Sequence, residues 1–294
     1  MIIPYRVDVP SDTRPFINWL IVASLIAIFV LQTIEHRQAR EQSEGRIAKR
    51  ESFVETVQRL KDEMISYKFI LNGWKAIGLF GHMWLHVDIP HLIGDLIFLW
   101  AFGNAICSKI GNIFYLPIYI GLGLIAAISH LLVGGGPALG AGGVISGILG
   151  MFLIFFPENT LNCLVAYRFL GVINKPYFGT ITIRSFWIIL IWVVFNIWGV
   201  LIGIGHIACF AHIGGFVGGA VLAILLLKLK WVTMERYEKS LLQLISREKS
   251  DEEETRKDMA PWQQQYIRDR EVSQPRTIPL EEKQPKVEPK VIEQ

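Results

Sequence analysis

The sequence predicts an all-α membrane protein with six transmembrane helices, a polar helical insert after the first helix and a polar tail after the last. Apolar residues make up 52% of the 294 residues, a share typical of polytopic membrane proteins. They gather into six runs of 17–22 residues, and a helix needs about 20 apolar residues to cross the hydrocarbon core. Charged residues concentrate at 35–68 and 228–294. These two blocks define the insert and the tail.

The predicted membrane domain covers residues 16–229, after a proline-containing lead-in, residues 1–15, that is expected not to pack. Between the first two spans, the insert at 35–68 has apolar residues near helical spacing and predicts an amphipathic helix outside the bilayer. Residues 69–90 are rich in glycine, histidine and tryptophan and predict an interfacial loop. The predicted spans lie at residues 16–34, 91–107, 112–133, 140–156, 186–204 and 207–227.

Residues 230–294 form the predicted tail. Apolar residues at 231–256 keep roughly helical spacing and predict an amphipathic helix after the membrane. From about Arg270 onward proline, glutamate, lysine and glutamine dominate. Such a segment cannot bury enough apolar area to offset its chain entropy, so the end of the tail is expected to be disordered.

Basic residues in the short connections predict the orientation. The connection between spans four and five carries Arg168, Lys175 and Arg184, and that between spans two and three carries Lys109. The connections between spans three and four and between spans five and six carry neither lysine nor arginine. By the positive-inside rule, both termini are expected to be cytoplasmic. The predicted location is a bacterial plasma membrane.

Charge and cysteine usage argue against two kinds of function. The formal net charge of +3 is too small to indicate a nucleic-acid-binding surface. Cys107, Cys163 and Cys209 are odd in number and widely spaced, which favours neither a zinc site nor a disulfide framework. We therefore expect no nucleic-acid partner, no metal and no other cofactor.

The fourth span begins with a glycine-rich run. Five of the eleven residues from Gly140 to Gly150 are glycine, and each glycine costs a helix in water about 1 kcal/mol relative to alanine. In a membrane, small residues let neighbouring helices approach closely, and Gly143 and Gly147 have the spacing of such a contact. The run by itself indicates a tightly packed membrane helix.

Ionisable residues inside spans are rare and usually functional, so they are the first candidates for a site. His91 and Asp95 stand at the start of the second span and share one helical face, because they are four residues apart. His212 stands near the start of the sixth span, followed by Gly214 and Gly215. These glycines permit another helix to approach the histidine.

Together, these motifs resemble the rhomboid family of intramembrane serine proteases. His86, His91 and Asp95 precede the run LWAFG at residues 99–103, the glycine-rich run follows on span four, and AHIGG stands at residues 211–215. The resemblance covers about residues 16–227 and implies a six-helix rhomboid bundle. It also implies a serine nucleophile on span four, a histidine base on span six, and a histidine and an asparagine on span two that hold the oxyanion. The family's substrate is a transmembrane helix.

The sequence departs from the family at two positions on which the chemistry depends. The family's Gly-x-Ser-Gly falls on residues 140–143, so Gly142, which has no hydroxyl, stands at the nucleophile position. His212 matches the base and His91 the oxyanion histidine, but Asp95 replaces the asparagine. An ionised carboxylate cannot donate a hydrogen bond to an oxyanion. Without a nucleophile, no acyl-enzyme forms at this position.

The sequence leaves several roles open for the remaining polar residues. Ser146, one helical turn after Gly142, either approaches His212 as a surrogate nucleophile or bonds back to the Gly142 carbonyl as a packing residue. A metal site built from His91, Asp95 and His212 is conceivable, although no metal-binding spacing supports it. Asp95 and His212 could instead form a structural ion pair.

The sequence therefore predicts a rhomboid pseudoprotease, a multi-pass protein of the lipid bilayer that binds the transmembrane helices of client proteins without cleaving them. The alternative is an active serine endopeptidase that uses Ser146 with His212. A third interpretation is a scaffold that acts through its tail, which would then recruit soluble partners.

Overall fold

Helices make up most of the part of the chain that the structure describes. The structure is a computed structural model, and it describes residues 2–9, 13–48, 65–167, 177–202, 209–234 and 238–246. Part of the predicted polar insert, residues 49–64, lies outside these ranges, as does the tail beyond residue 246. The predicted disorder of the tail therefore stays a prediction.

The first helix, α1 (Phe16–Ala48), begins directly after Pro15 and is longer than predicted. It continues past residue 34 into the polar insert, so the insert starts as an extension of the first span. Asn18 is fully buried on this helix. Its Nδ2 donates to the Leu99 carbonyl at 3.0 Å, and its Oδ1 accepts from the Tyr115 hydroxyl at 2.7 Å. These bonds join α1 to the second and third spans.

Two short helices and a helical turn fill the predicted interfacial loop. Helices α2 (Ile65–Phe69) and α3 (Ala76–Gly81) are followed by a 3-10 turn at His82–Trp84. The His82 carbonyl accepts the Gly140 N–H at 2.9 Å, and Leu71 pairs with Ala138 through two backbone bonds of 3.0 Å. The loop that precedes the fourth span is therefore held by this segment.

The second span consists of helix α4 (Ile89–Phe98), a π-helical turn at Leu99–Gly103 and helix α5 (Asn104–Ile110). Asp88 is the N-cap of α4, because its side chain accepts the His91 N–H at 2.8 Å. Pro90 stands at the second helical position, where its missing N–H costs no helical bond. The predicted span, residues 91–107, lies within this continuous helical segment.

The remaining membrane helices match the predicted segments closely. They are α6 (Asn112–Leu132), α7 (Gly142–Phe155), α8 (Ser185–Leu201) and α9 (Cys209–Lys228). Among the described residues, four helical segments are long and apolar enough to cross a membrane: Phe16–Glu41, Ile89–Ile110, Asn112–Leu132 and Cys209–Lys228. Helices α7 and α8 are apolar but shorter, so the count of six spans stays a prediction.

Helix α7 is the centre of the bundle. Every residue of it is buried except Leu153. It lies in direct backbone contact with α9, since a Cβ at Gly219 would lie 1.9 Å from the Gly147 oxygen and a Cβ at Gly215 would lie 2.1 Å from the Gly143 oxygen. Only glycine permits this approach, which explains the glycine-rich composition of both helices.

A three-stranded antiparallel sheet is the largest departure from the prediction. Strand β1 (Ile2–Val7) pairs with β2 (Thr160–Tyr167), which pairs with β3 (Tyr177–Arg184). The expectation that the lead-in does not pack is therefore wrong. Pro4 is accommodated because β1 is an edge strand. The sheet follows the C-terminal end of α7, about 21 Å from Gly142 for a helix of 14 residues.

The start of the tail packs against the bundle, but it is not helical from residue 231 as predicted. Helix α10 (Leu241–Ser246) begins ten residues later. Before it, Val232, Glu238 and Ser240 are buried, and Glu238 forms a buried ion pair with Lys109 at the end of α5. The described part of the tail thus belongs to the same packed unit as the helices.

Candidate functional site

The candidate site lies at the N-terminal end of α7, where α4, α9 and the loop at residues 138–141 meet. Gly142 begins α7, Asp95 lies on α4 and His212 lies on α9. The backbone of Gly140 has φ +119°, which favours glycine, and a Cβ there would lie 2.9 Å from His91 Cε1. This tight turn brings the start of α7 against the face of α4 that carries His91 and Asp95.

His212 and Gly142 are in contact. A Cβ built at Gly142 would lie 2.6 Å from His212 Nε2, closer than side-chain carbon atoms normally approach. The imidazole therefore occupies part of the volume that a side chain at residue 142 would need. The two positions that the resemblance assigns to base and nucleophile lie side by side, and the nucleophile position offers no hydroxyl.

Asn196 of α8 holds the His212 ring. His212 Nδ1 lies 2.7 Å from Asn196 Oδ1, while Asn196 Nδ2 donates to the Trp192 carbonyl at 2.8 Å. Because the amide oxygen faces the ring, the bonding pattern assigns the proton to Nδ1 and leaves a lone pair on Nε2. Trp192 packs against the ring with centroids 5.4 Å apart. His212 thus presents an acceptor atom towards Gly142.

Ser146 makes the bond that the packing interpretation predicts. Its hydroxyl is fully buried and donates to the Gly142 carbonyl at 2.8 Å. Its oxygen accepts from Trp192 Nε1 at 3.2 Å. Among the described residues, no hydrogen bond joins Ser146 to His212. The hydroxyl proton is directed to the backbone and away from the imidazole.

Asp95 is bonded to the loop before α7 and to histidines, so the predicted ion pair with His212 is wrong. Its Oδ2 accepts the Ala141 N–H at 3.1 Å and lies 3.2 Å from His86 Nε2. His91 Nε2 lies 3.8 Å from the same oxygen. In the described part of the chain, no ion pair joins Asp95 to His212. The N–H groups at the start of a helix attract anions, and here they attract this carboxylate.

The metal site that the sequence analysis left as an alternative gains no donor set from this arrangement. Within the described ranges, no group of three or more histidine, cysteine, aspartate or glutamate side chains is placed to hold a metal ion. His91 and Asp95 face His86 and Ala141, whereas His212 faces Asn196 and Gly142. His212 is thus turned to other partners than His91 and Asp95 are.

Sequence reasoning missed Asn196 and Trp192, which hold His212 and Ser146. Asn196 interrupts the apolar run of α8 and is 3% exposed. A polar side chain inside a membrane helix usually bonds across helices, so that signal was available in the sequence. The contacts of Trp192 carried no such signal, because tryptophan is common in membrane segments.

Comparison with known proteins gives one family. The Rhomboid domain family model matches residues 73–229, more than half of the chain. Rhomboid protease GluP of Bacillus subtilis (strain 168) is 28% identical over 135 residues, which are 46% of this chain and 23% of that protein. Rhomboid protein 1, mitochondrial, of Saccharomyces cerevisiae is 28% identical over 89 residues, 28% of this chain and 26% of that protein. The chain thus spans about a quarter of the length of these curated relatives.

Proposed function

Because the chain belongs to the rhomboid family, we propose that it is an integral membrane protein that binds the transmembrane helices of client proteins without cleaving them. The observation that carries this proposal is the contact between Gly142 and His212. The nucleophile position, Gly142, has no hydroxyl. A Cβ at Gly142 would lie only 2.6 Å from His212 Nε2. Nucleophilic catalysis requires a hydroxyl or thiol beside the base, and this site supplies the base alone.

The contacts of Ser146 argue against the alternative of an active protease. A nucleophile must pass its proton to the base, but the Ser146 proton is directed to the Gly142 carbonyl at 2.8 Å. Trp192 Nε1 occupies a lone pair of the same oxygen at 3.2 Å. Using Ser146 in catalysis would require breaking both bonds and turning the hydroxyl towards His212. The buried position of this hydroxyl also separates it from a substrate.

A client helix would reach the site between α4 and α8. Phe98 of α4 and Trp192 of α8 contact each other there, with ring centroids 5.7 Å apart. Helix α8 turns Trp187, Phe195 and Trp198 outward, each more than half exposed, so it presents an apolar surface to lipid. Displacing one aromatic pair costs about 0.5–1.5 kcal/mol beyond the area that it buries. A client helix can repay this cost with its own apolar contacts.

The proposed orientation places both termini in the cytoplasm of a bacterial cell, following the basic residues of the connections. In that orientation the start of α7 lies on the side of the plasma membrane that faces away from the cytoplasm. Clients would therefore be recognised near that surface. The tail beyond residue 246 would lie in the cytoplasm, where it could recruit soluble partners.

Binding is tested in liposomes by energy transfer from the labelled protein to a labelled peptide that forms one transmembrane helix. We expect saturable binding, and Trp192→Ala should tighten it about fivefold, because the client no longer displaces the Phe98 contact. Trp187→Ala, which changes a side chain 54% exposed on the same helix, should leave the Kd unchanged. Transfer no greater than that to an unrelated membrane protein at equal density would refute client binding.

Proteolysis is tested separately on the same preparations. The wild type, Ser146→Ala and His212→Ala are incubated with a fluorophosphonate probe and with a transmembrane reporter substrate. We expect no labelling and no cleavage by any of the three. Labelling or cleavage by the wild type that disappears in both variants would establish the active-protease alternative.

A further inference from the structure

The Asp95 carboxylate accepts hydrogen bonds from two other parts of the chain, and a third side chain, His91, lies close to it. The Ala141 N–H donates to Oδ2 at 3.1 Å from the loop before α7. His86 Nε2 donates to the same oxygen at 3.2 Å, and His91 Nε2 lies 3.8 Å away on the same helix. The Asp95 side chain is 13% exposed. The carboxylate therefore lies inside a small cluster of donors.

The state of His86 follows from its contacts. The His86 side chain is fully buried, and its Nδ1 has no hydrogen-bond partner among the described residues. Because a carboxylate accepts hydrogen bonds and does not donate them, the 3.2 Å contact places a proton on His86 Nε2, which donates to Asp95 Oδ2. The donor is thus oriented towards the carboxylate.

This cluster lies next to the position where an acyl-transfer reaction would develop negative charge. Ala141 is the residue directly before Gly142, and its N–H belongs to the N-terminal end of a 14-residue helix. Backbone N–H groups of this kind stabilise oxyanions when they remain available to the reacting carbonyl. Here the N–H is already bonded to a carboxylate that the protein itself supplies.

We propose that Asp95 is a built-in occupant of the oxyanion pocket, so that a serine restored at residue 142 would not by itself restore activity. The inference rests on the proposed loss of proteolysis and adds a second block to it. The carboxylate withdraws the Ala141 N–H from a substrate and places negative charge where the oxyanion would form. Losing one oxyanion donor typically costs about 10²–10³ in turnover.

The test uses a serine at residue 142 and a fluorophosphonate probe on the full-length protein in detergent. In the labelling step, the hydroxyl oxygen forms a bond to phosphorus, the phosphorus–fluorine bond breaks, fluoride leaves, and the hydroxyl proton passes to His212 Nε2. The negative charge that develops on the phosphoryl oxygen needs the same donors as an acyl oxyanion. The labelling rate therefore depends both on a reactive hydroxyl at residue 142 and on free donors in the oxyanion pocket.

The comparison is between Gly142→Ser alone and Gly142→Ser combined with Asp95→Asn. We expect the double variant to be labelled at least about 100-fold faster than Gly142→Ser alone. The matched control, Gly142→Ala with Asp95→Asn, introduces the same Cβ beside His212 without a hydroxyl and should not be labelled. Equal labelling of the two serine variants, including no labelling of either, overturns the proposal.

A second measurement tests the contact without any activity. The Ala141 amide proton is observed by NMR in protein labelled with 15N-alanine, and Ala141→Gly identifies its signal. An amide bonded to a carboxylate resonates downfield, so Asp95→Asn in the otherwise native chain should move the signal upfield. A signal that does not move refutes the occupied pocket. Client binding by the wild type is measured independently, so its failure is distinguishable from failure of this proposal.

Discussion

The strongest single test of the site chemistry is the coupling between Ser146 and Trp192. Ser146→Ala removes the acceptor of Trp192 Nε1, a bond of 3.2 Å, and leaves the Gly142 carbonyl in its helical bond. Net hydrogen bonds contribute about 0.5–1.5 kcal/mol to stability, and interhelical bonds in membranes average about 0.6 kcal/mol. We therefore expect Ser146→Ala to lower the free energy of unfolding by about 1 kcal/mol.

The assay is a double-mutant cycle of Ser146→Ala and Trp192→Phe, with unfolding followed in mixed micelles of increasing dodecyl sulfate content. If the two side chains contribute to stability through their mutual bond, the double variant loses about 1 kcal/mol less than the sum of the single variants. Additive losses would mean that the bond does not stabilise the fold. A coupled pair would mean that Ser146 contributes to the packing of α7 against α8, in addition to its bond to the Gly142 carbonyl.

Three further predictions concern the frame of the site. Gly219→Ala should destabilise by about 3 kcal/mol or more in the same unfolding assay, because its Cβ would lie 1.9 Å from the Gly147 oxygen; Gly94→Ala, with no atom within 4 Å, should not destabilise. Glu238→Gln should cost about 3 kcal/mol and expose the tail to trypsin, since Lys109 loses its buried partner; unchanged trypsin cleavage would refute this. Burial lowers the pKa of His82, so unfolding should become easier as the pH falls below 6.5, and this pH dependence should be weaker in His82→Gln.

The sign of the last prediction follows from proton linkage. The folded state disfavours charged His82, although the Gly78 and Leu79 carbonyls partly oppose the effect of burial. The unfolded chain therefore binds more protons once the pH drops below the ordinary value of 6.5. The stabilisation is complete above that value and is lost as the pH approaches the lowered folded value. Because the His82 carbonyl holds Gly140, the loop before α7 should loosen in the same pH range.

The helix positions were predictable because hydropathy reports membrane burial directly. The predicted third span, residues 112–133, and the fourth, residues 140–156, agree within two residues with Asn112–Leu132 and Gly142–Phe155. The family was predictable as well, since motifs on three spans carry it, and the family match confirms it. Both signals are local in sequence and need no knowledge of how the helices are rotated.

The sheet was not predictable from the same signals. Strand β1 pairs residues 2–7 with residues 161–165, a separation that no local pattern reveals. Pro4 within β1 argued against a strand in the sequence, and the structure has a register shift beside it. The pairing is stabilised at the far end, where Asn159 donates to the Asp8 carbonyl and Ser185 donates to the Asn159 carbonyl. The lead-in is ordered by partners more than 150 residues away.

The hypothesis that Asp95 pairs with His212 failed for a geometric reason. Helical spacing shows that His91 and Asp95 share a face, but it does not show which neighbour that face meets. The partners of Asp95 lie in two irregular segments, because His86 precedes α4 and Ala141 follows the glycine turn at Gly140. Neither segment has a period from which its position could be predicted. The partner of His212 is Asn196 on α8, which the spacing of His91 and Asp95 did not indicate.

The contacts around Gly142 argue for a site in which most polar groups are satisfied within the protein. Catalysis requires groups whose best partner is the transition state, but the Ser146 hydroxyl and the Asp95 carboxylate are bonded to the chain itself. His212 Nε2 differs, since its lone pair faces Gly142 and its other nitrogen is held by Asn196. A restored serine would need a shift of the His212 ring, because its Cβ would lie 2.6 Å from Nε2, and it would also meet the Asp95 carboxylate at the Ala141 N–H. If the proposed role of Asp95 is correct, restoring catalysis requires emptying the oxyanion pocket, so the test combines the substitution at Asp95 with the one at Gly142.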